Sequence, residues 1–209
     1  MVARYRCGSE LAIWEATTPD LVDIAGKTIG KAFAEDAVLN YLVRQDEQRL
    51  AAIDALCLAN TRWAARVGRV HLAGQGEAAL LWLPADAPRQ TMLSWLPLVP
   101  TAWRAAGGLG RVLRGARLAH LLEGKHPSRP HCYGWMLGVL PSARGQGLGG
   151  KLIRLFTRAC DEQGLPAHIE CSNPSLLPLY EKNGFHITEE VKAEGGQGPR
   201  LWLMAREPS

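Results

Sequence analysis

The stretch "RGQGLGGKL", Arg144 to Leu152, constrains the fold more than any other part of the chain. It follows "HCYGWMLGVL", which reads as a strand and stops at Pro141, a residue that cannot donate to a ladder. It leads into "QGLGGKLIRLFTRACDEQG", where Leu148, Leu152, Leu155, Phe156 and Ala159 recur at helical spacing. A strand, a glycine-rich turn and a helix in this order make a βα unit. The N-terminus of such a helix faces outward with free backbone N–H groups, and the helix dipole favours an anion there.

Three phosphate-binding patterns fit these residues. Gly145, Gly150 and Lys151 fit G-x-x-x-x-G-K, but the next position is Leu152, so no hydroxyl is available for a magnesium ion. Gly145, Gly147 and Gly150 fit G-x-G-x-x-G, and Glu170 ends the following strand where a ribose-binding acid would stand. Against that reading, Pro141 to Arg144 separate the strand from its first glycine, and the chain supplies too few βαβ units. Arg144, Gly147 and Gly149 fit [RQ]-x-x-G-x-[GA], and here the proline break and the added Arg144 charge need no special account. Taken alone, the six residues also fit a tight βα turn that holds no ligand.

The rest of the chain alternates strand and helix signals. "ELAIWEA", Glu10 to Ala16, reads as a strand, and Thr18-Pro19-Asp20 as a helix start, with Ile24, Thr28 and Ala32 on one face to about Ala34. "AEDAVLNYL" continues as a second helical piece. "DEQRLAAIDALCLANTRWAARVG" is strongly helix-forming, with Leu50, Ile53, Leu56, Cys57 and Asn60 in step and Gly68 at its end. "RVHLAGQGEAALLWLP" reads as a hairpin about Gly74-Gln75-Gly76. Residues 85 to 130 read as an inserted helical pair cut by Pro97, Pro100 and Gly107-Gly108. Its Trp95 and Trp103 read as core packing, with a pocket or partner surface as the alternative. "AHIEC" is a strand, "PSLLPLYEKNG" a short helix, and "FHITEEV" and "RLWLMAR" two strands about "EGGQGP".

Composition excludes several classes. The 209 residues carry a mild net charge of +4, and the arginines are scattered, so no nucleic-acid footprint appears. The five cysteines (Cys7, Cys57, Cys132, Cys160 and Cys171) show no C-x-x-C spacing and read as reduced, buried thiols. No signal peptide and no membrane-spanning run is evident, so the expectation is a soluble cytoplasmic protein with no membrane partner. His120, Glu123 and His126 stand at i, i+3, i+6 with Gly124 breaking the helix, so no metal site is expected there.

"GVLPSARGQGLGGKLI" followed by "IECSNPSLLPLYEKNGF" resembles, in spacing and order, the paired signatures of the GNAT superfamily of N-acetyltransferases. The flanking "HPSRPHCYGWMLGV" is similar to a bacterial subgroup related to antibiotic-modifying acetyltransferases. The strong resemblance covers about residues 131 to 190; before residue 70 only the order of elements matches. It implies an α/β fold with a mixed, mostly antiparallel sheet, splayed at two central strands, and helices on both faces. Residues 1–209 would form a single domain, with a helical insertion at about 88–126 and an acetyl-CoA core at 131–190.

The same resemblance implies acetyl transfer from acetyl-CoA to a primary amine, by direct attack in a ternary complex and without a metal. The coenzyme arm would lie along Leu137, Gly138 and Val139, where a backbone N–H would serve as oxyanion donor. Arg144, Gly145, Gln146, Gly147, Leu148, Gly149 and Gly150 would hold the pyrophosphate. Asn173 would touch the arm or else cap the turn before Pro174. Tyr180 stands at the place of the general acid, and a phenol is able to protonate a departing thiolate. The strand "CYGWMLGV" holds no carboxylate, so Glu170 and His131 are the candidate bases, unless the amine binds already neutral. Phe33, Glu35 and Trp82 are candidates for the acceptor pocket, and the Trp-rich insertion favours a small-molecule amine. A homodimer is compatible with the family. A non-catalytic acyl-CoA sensor is the alternative from another class.

Overall fold

The computed structural model describes residues 12–87, 96–196 and 198–209. Cys7, Trp95 and the first residues of the expected insertion lie outside them. Seven strands form one sheet in the order β1-β2-β3-β4-β5-β7-β6: β1 (Ile13–Glu15), β2 (Arg69–Ala73), β3 (Ala78–Leu83), β4 (Cys132–Val139), β5 (Ala167–Cys171), β6 (His186–Lys192) and β7 (Arg200–Arg206). All neighbours are antiparallel except β4 and β5. The mixed sheet with helices on both faces is the fold the sequence resemblance implied.

The helices are α1 (Pro19–Ala32), α2 (Ala37–Leu42), α3 (Arg49–Val67), α4 (Val99–Ala106), α5 (Leu109–Glu123), α6 (Leu148–Gln163) and α7 (Leu177–Glu181). Local chemistry starts the first two. The Thr18 hydroxyl accepts from the Leu21 N–H ahead of Pro19, and the Asp36 carboxylate accepts from the N–H groups of Val38 and Leu39. Apolar stripes then decide the faces. Leu152, Phe156 and Cys160 of α6 bury against Leu80, Cys132 and Ile169 on one side of the sheet. Ile29 of α1 and Ile53 and Cys57 of α3 bury against Leu72, Leu81 and Met136 on the other. Leu118 of α5 packs on Val191, Leu201 and Leu203 of the last two strands.

Three expectations shift. Of the expected α1 face Thr28 is buried, but Ile24 is exposed, because Val22, Ala25 and Ile29 are the residues that join the core with α3 and the sheet. Leu50 is likewise exposed at the first turn of α3, one turn before the buried Ile53. Trp103 is 52% exposed and is not part of the core. The described cysteines are all free and buried, as read from their spacing. No helix among the described residues is long and apolar enough to cross a membrane.

The C-terminal end of α6 is tied to β7. Arg206 donates to both carboxylate oxygens of Asp161 at 2.7 and 2.9 Å, and the Ser209 N–H donates to the same group at 2.9 Å. The Arg206 hydrogen bonds hold the Asp161 carboxyl at about 2, against the opposing effect of burial. A folded-state value below the unfolded one stabilises fully above about pH 4 and loses that contribution as pH falls through about 2. Asp161→Asn is expected to cost about 1–2 kcal/mol at pH 7 in urea denaturation, a figure reduced for partial exposure, and the difference from wild type should narrow below about pH 4.

Candidate active site

The parallel pair β4–β5 lasts only three residues: Cys132↔Ala167, Tyr133↔His168 and Gly134↔Ile169. Beyond Gly134 the strands part. β4 keeps its register with β3 as far as Val139↔Ala78, and β5 keeps its own with β7 as far as Cys171↔Trp202. The cause is a bulge: Leu81 faces Met136 and Trp82 faces Gly134, so Trp135 is an extra residue in β4. A bulge bends its strand and re-aims the side chains that follow. Gly134 stands at the fork because a Cβ there would come within 2.9 Å of the Ile169 side chain and 3.1 Å of the Phe156 ring. A cavity of about 70 Å³ occupies the fork, lined by Phe33, Trp135, Leu137, Glu170, Ser172 and Tyr180 among others.

The glycine loop lies at the end of β4. Gly145 and Gly147 hold positive φ of 79° and 77°, a region that favours glycine, and the space about both is open. Gly147 precedes the first turn of α6, which no side chain caps, unlike α1 and α2. The first N–H groups of α6 therefore point outward beside the exposed Arg144 and Gln146. Gly149 and Gly150 are buried, and a Cβ on Gly149 would stand 3.4 Å from Val139 and 3.8 Å from Leu179. The uncapped helix end thus adjoins both β4 and α7.

Tyr180 of α7 lines the fork, edge-on to Phe185 at 5.9 Å between ring centres. Burial, and then the nearby Cys171, raises its hydroxyl well above the ordinary phenol value, so it carries its proton at neutral pH. The Cys171 thiol is also raised by burial and donates to the Asn173 carbonyl at 3.1 Å. The Asn173 side chain accepts from the Ser175 N–H and hydroxyl at 3.0 and 2.8 Å, so it caps its own turn. Ser172 Oγ donates to Asp36 at 2.5 Å and fastens the end of β5 to the cap of α2.

Glu170 sits among aromatic nitrogen bases. The Tyr133 hydroxyl donates to its Oε2 at 2.7 Å, while His126 Nε2 and His168 Nε2 stand 3.5 and 3.9 Å from its Oε1. Burial opposes its ionisation, but His126, His168 and Tyr133 together outweigh that and hold the carboxyl well below the usual range. His126 Nδ1 lies 3.0 Å from His131 Nε2, and His131 Nδ1 lies 2.9 Å from the Arg129 carbonyl. Both ring nitrogens of His131 are therefore engaged, and burial pushes its value down. The two base candidates thus belong to one cluster, of which Glu170 reaches the cavity.

Residues 102–187 match the family model for the acetyltransferase (GNAT) domain. That match covers 86 of the 209 residues. An uncharacterized N-acetyltransferase of Schizosaccharomyces pombe is 34% identical over 80 residues, 36% of this chain and 32% of that protein. Mycothiol acetyltransferase of Streptomyces scabiei is 29% identical over 140 residues, 59% of this chain and 43% of that protein. The matches thus span about a third and just over two fifths of the length of these curated relatives. Among solved structures, the histone acetyltransferase HPA2 and related acetyltransferase of Corynebacterium glutamicum superposes with a TM-score of 0.69 at 22% identity, over 95% of this chain and 97% of that one. Arylalkylamine N-acetyltransferase 2 of Aedes aegypti gives 0.63 at 14% identity, over 96% and 100%. These two share the fold.

The acceptor-pocket candidates separate in the structure. Phe33 lines the fork. The Glu35 side chain is 88% exposed, beyond the end of α1, near Arg49. Trp82 is buried on the α6 side of the sheet, where its Nε1–H donates to His71 and its ring meets Phe156. Neither Glu35 nor Trp82 lines the cavity: Trp82 precedes the bulge, and Glu35 lies past the last buried turn of α1. Trp135, Ser172 and Phe185 do line it and were not singled out from the sequence. For Trp135 the signal was an aromatic residue beside the glycine of "YGWM", the composition of a bulge.

Proposed function

We propose that the chain transfers an acetyl group from acetyl-CoA to a primary amine of a small molecule, in a ternary complex. The observation that carries this reading is the fork between β4 and β5, with Tyr180 on its wall and an uncapped helix N-terminus at its open end. The diverging strand β4 offers backbone donors and acceptors along Leu137 to Val139, suited to an extended, amide-bearing arm. Arg144 and the N–H groups that follow Gly147 suit a pyrophosphate. The side chain of Asn173 is taken up by its own turn and its carbonyl by Cys171 and Leu176, so neither is assigned to the arm.

The thioester of the co-substrate supplies the acetyl group. The amine nitrogen bonds to the carbonyl carbon, the carbon–sulfur bond breaks, Tyr180 gives its proton to the departing sulfur, and the extra proton on the new amide nitrogen passes by way of solvent to restore the Tyr180 hydroxyl. A backbone N–H near Val139 faces the oxygen on which charge develops. Glu170, charged and on the cavity wall, serves better as the counter-charge that draws in an ammonium than as a matched base. The proton of that ammonium leaves towards the histidines behind it.

The relatives inform the acceptor class. Solved enzymes of the same fold act on polyamines in Drosophila melanogaster and on arylalkylamines in Aedes aegypti. The aromatic wall of Phe33, Trp135 and Phe185 supports an amine with an apolar body. A sensor that binds acyl-CoA without turnover is separated from the enzyme by one variant. Tyr180→Phe is expected to lower kcat by about 10²-fold in a thiol-release assay with an amine panel, with acetyl-CoA affinity nearly unchanged. Turnover equal to wild type would remove Tyr180 from the chemistry. Gly147→Val forces a branched side chain into positive φ at the phosphate loop, and a loss of acetyl-CoA affinity of at least tenfold is expected in calorimetry.

A further inference from the structure

Read along the chain, His126 pairs with His120 and Glu123. The fold gives it other partners. His168 and Glu170 are two apart on β5 and so project from one face of the strand. His126 reaches the same place from the segment that follows α5. One nitrogen or oxygen from each of the three lies within 4.8 Å of the others. His168 is 2% exposed and the Glu170 side chain 10%, yet His168 Nε2 and Glu170 Oε1 have no hydrogen-bond partner. Two buried polar atoms that face each other without a hydrogen-bond partner are costly unless something bridges them.

The tautomers sharpen the point. The Arg129 carbonyl is able only to accept, so His131 Nδ1 carries a hydrogen. In the neutral ring His131 Nε2 then accepts from His126 Nδ1. Neutral His126 is left with its lone pair on Nε2, aimed at a carboxylate oxygen that also only accepts. Glu170 Oε2 is meanwhile occupied by the Tyr133 hydroxyl, which turns Oε1 inward. The outer partners of both His126 and Glu170 thus orient the lone pairs towards one point, as partners of metal ligands do.

We propose that His126 Nε2, His168 Nε2 and Glu170 Oε1 form a binding site for a divalent transition-metal ion of the zinc class. Metal–ligand bonds of about 2.0–2.2 Å place tetrahedral ligand atoms roughly 3.3–3.5 Å apart. The observed separations from Glu170 Oε1, 3.5 Å to His126 and 3.9 Å to His168, need only a small contraction. Two imidazoles and one carboxylate leave a fourth position for water or another ligand, and this donor set selects zinc over magnesium or calcium. An ion there clasps the segment after α5 to β5, beside the fork that Glu170 lines. The proposal shares Glu170 and its histidines with the acetyl-transfer reading, but its readouts do not use turnover, so the two fail separately.

The test is zinc titration of chelator-treated, full-length protein by calorimetry, with thermal unfolding alongside. Wild type should bind one equivalent and melt higher with zinc. His126→Ala alters a partly exposed side chain in a connecting segment, so it should fold; it should bind at least about 100-fold more weakly and lose the shift. Glu170→Gln should do the same. Cobalt(II) distinguishes this site from the cysteines, since a nitrogen–oxygen set gives no thiolate charge-transfer band. Folded wild type that takes up no zinc would overturn the proposal and leave a shared proton between His126 and Glu170. Unchanged affinity in both variants, or a thiolate band, would overturn it as well.

Discussion

Strand pairing between β4 and β5 ends after three residues, and the rest of the site depends on that ending. The extra residue Trp135 bends β4 away, while β7 holds β5 in place through Cys171. Two strands that start parallel and then diverge leave a wedge inside a sheet covered on both faces. The wedge is kept from collapsing by rigid neighbours. Phe156 and Ile169 close its base, and the Ser172–Asp36 hydrogen bond pins its rim to α2. A ligand with its own amide groups would complete the ladder that the bulge interrupts, which is the cheapest way to use such a gap.

Buried polar groups follow the same geometry. A strand released from pairing on one side lets residues of the opposite face meet elements from outside the sheet. Glu170, just past the last paired step, meets His126 in this way beside the still-paired Tyr133 and His168, and aromatic edges rather than aliphatic packing fill the space between them: His126 stands 4.6 Å from Tyr133 and 4.8 Å from His168 by ring centres. A carboxylate so placed stays charged on the wall of the cavity. Across the sheet, the α6 side is apolar and tightly packed, from Trp82 through Phe156 to Leu152. Tyr180 reaches the fork from that packed side, and the glycine loop is where α6 turns its N-terminus towards the fork.

How much of this was legible depended on the range of the interaction. Periodicity and caps are local, so the helices from Pro19, Arg49 and Leu148 and the Gly74–Gly76 hairpin were readable. Which residues of α1 and α3 turn inward was only partly readable, because Ile24 and Leu50 carry apolar side chains to solvent and only the docking of α1 on α3 decides the face. The fork itself came through resemblance, since no pattern of apolar residues encodes where pairing stops. Tyr180 shares that origin, whereas the glycine loop was legible in its own residues. Glu170 and His131 were singled out separately, and their junction through His126 was not, because it joins residues 44 apart and needs the path of α5. H-x-E on one strand was the faint signal that two ligand-type side chains share a face. Glu35 and Trp82 missed the cavity because nearness in the chain to its wall does not fix the side a residue faces.

The central claim is that the fork and its glycine loop accept an acyl-CoA. Calorimetric titration of the purified chain with acetyl-CoA, beside NADH and ATP, tests it most directly. The account predicts one-to-one binding of acetyl-CoA and much weaker binding of the other two, since only the former carries an arm for the fork as well as a pyrophosphate for the loop. Folded protein that ignores acetyl-CoA, or prefers NADH or ATP, would contradict it.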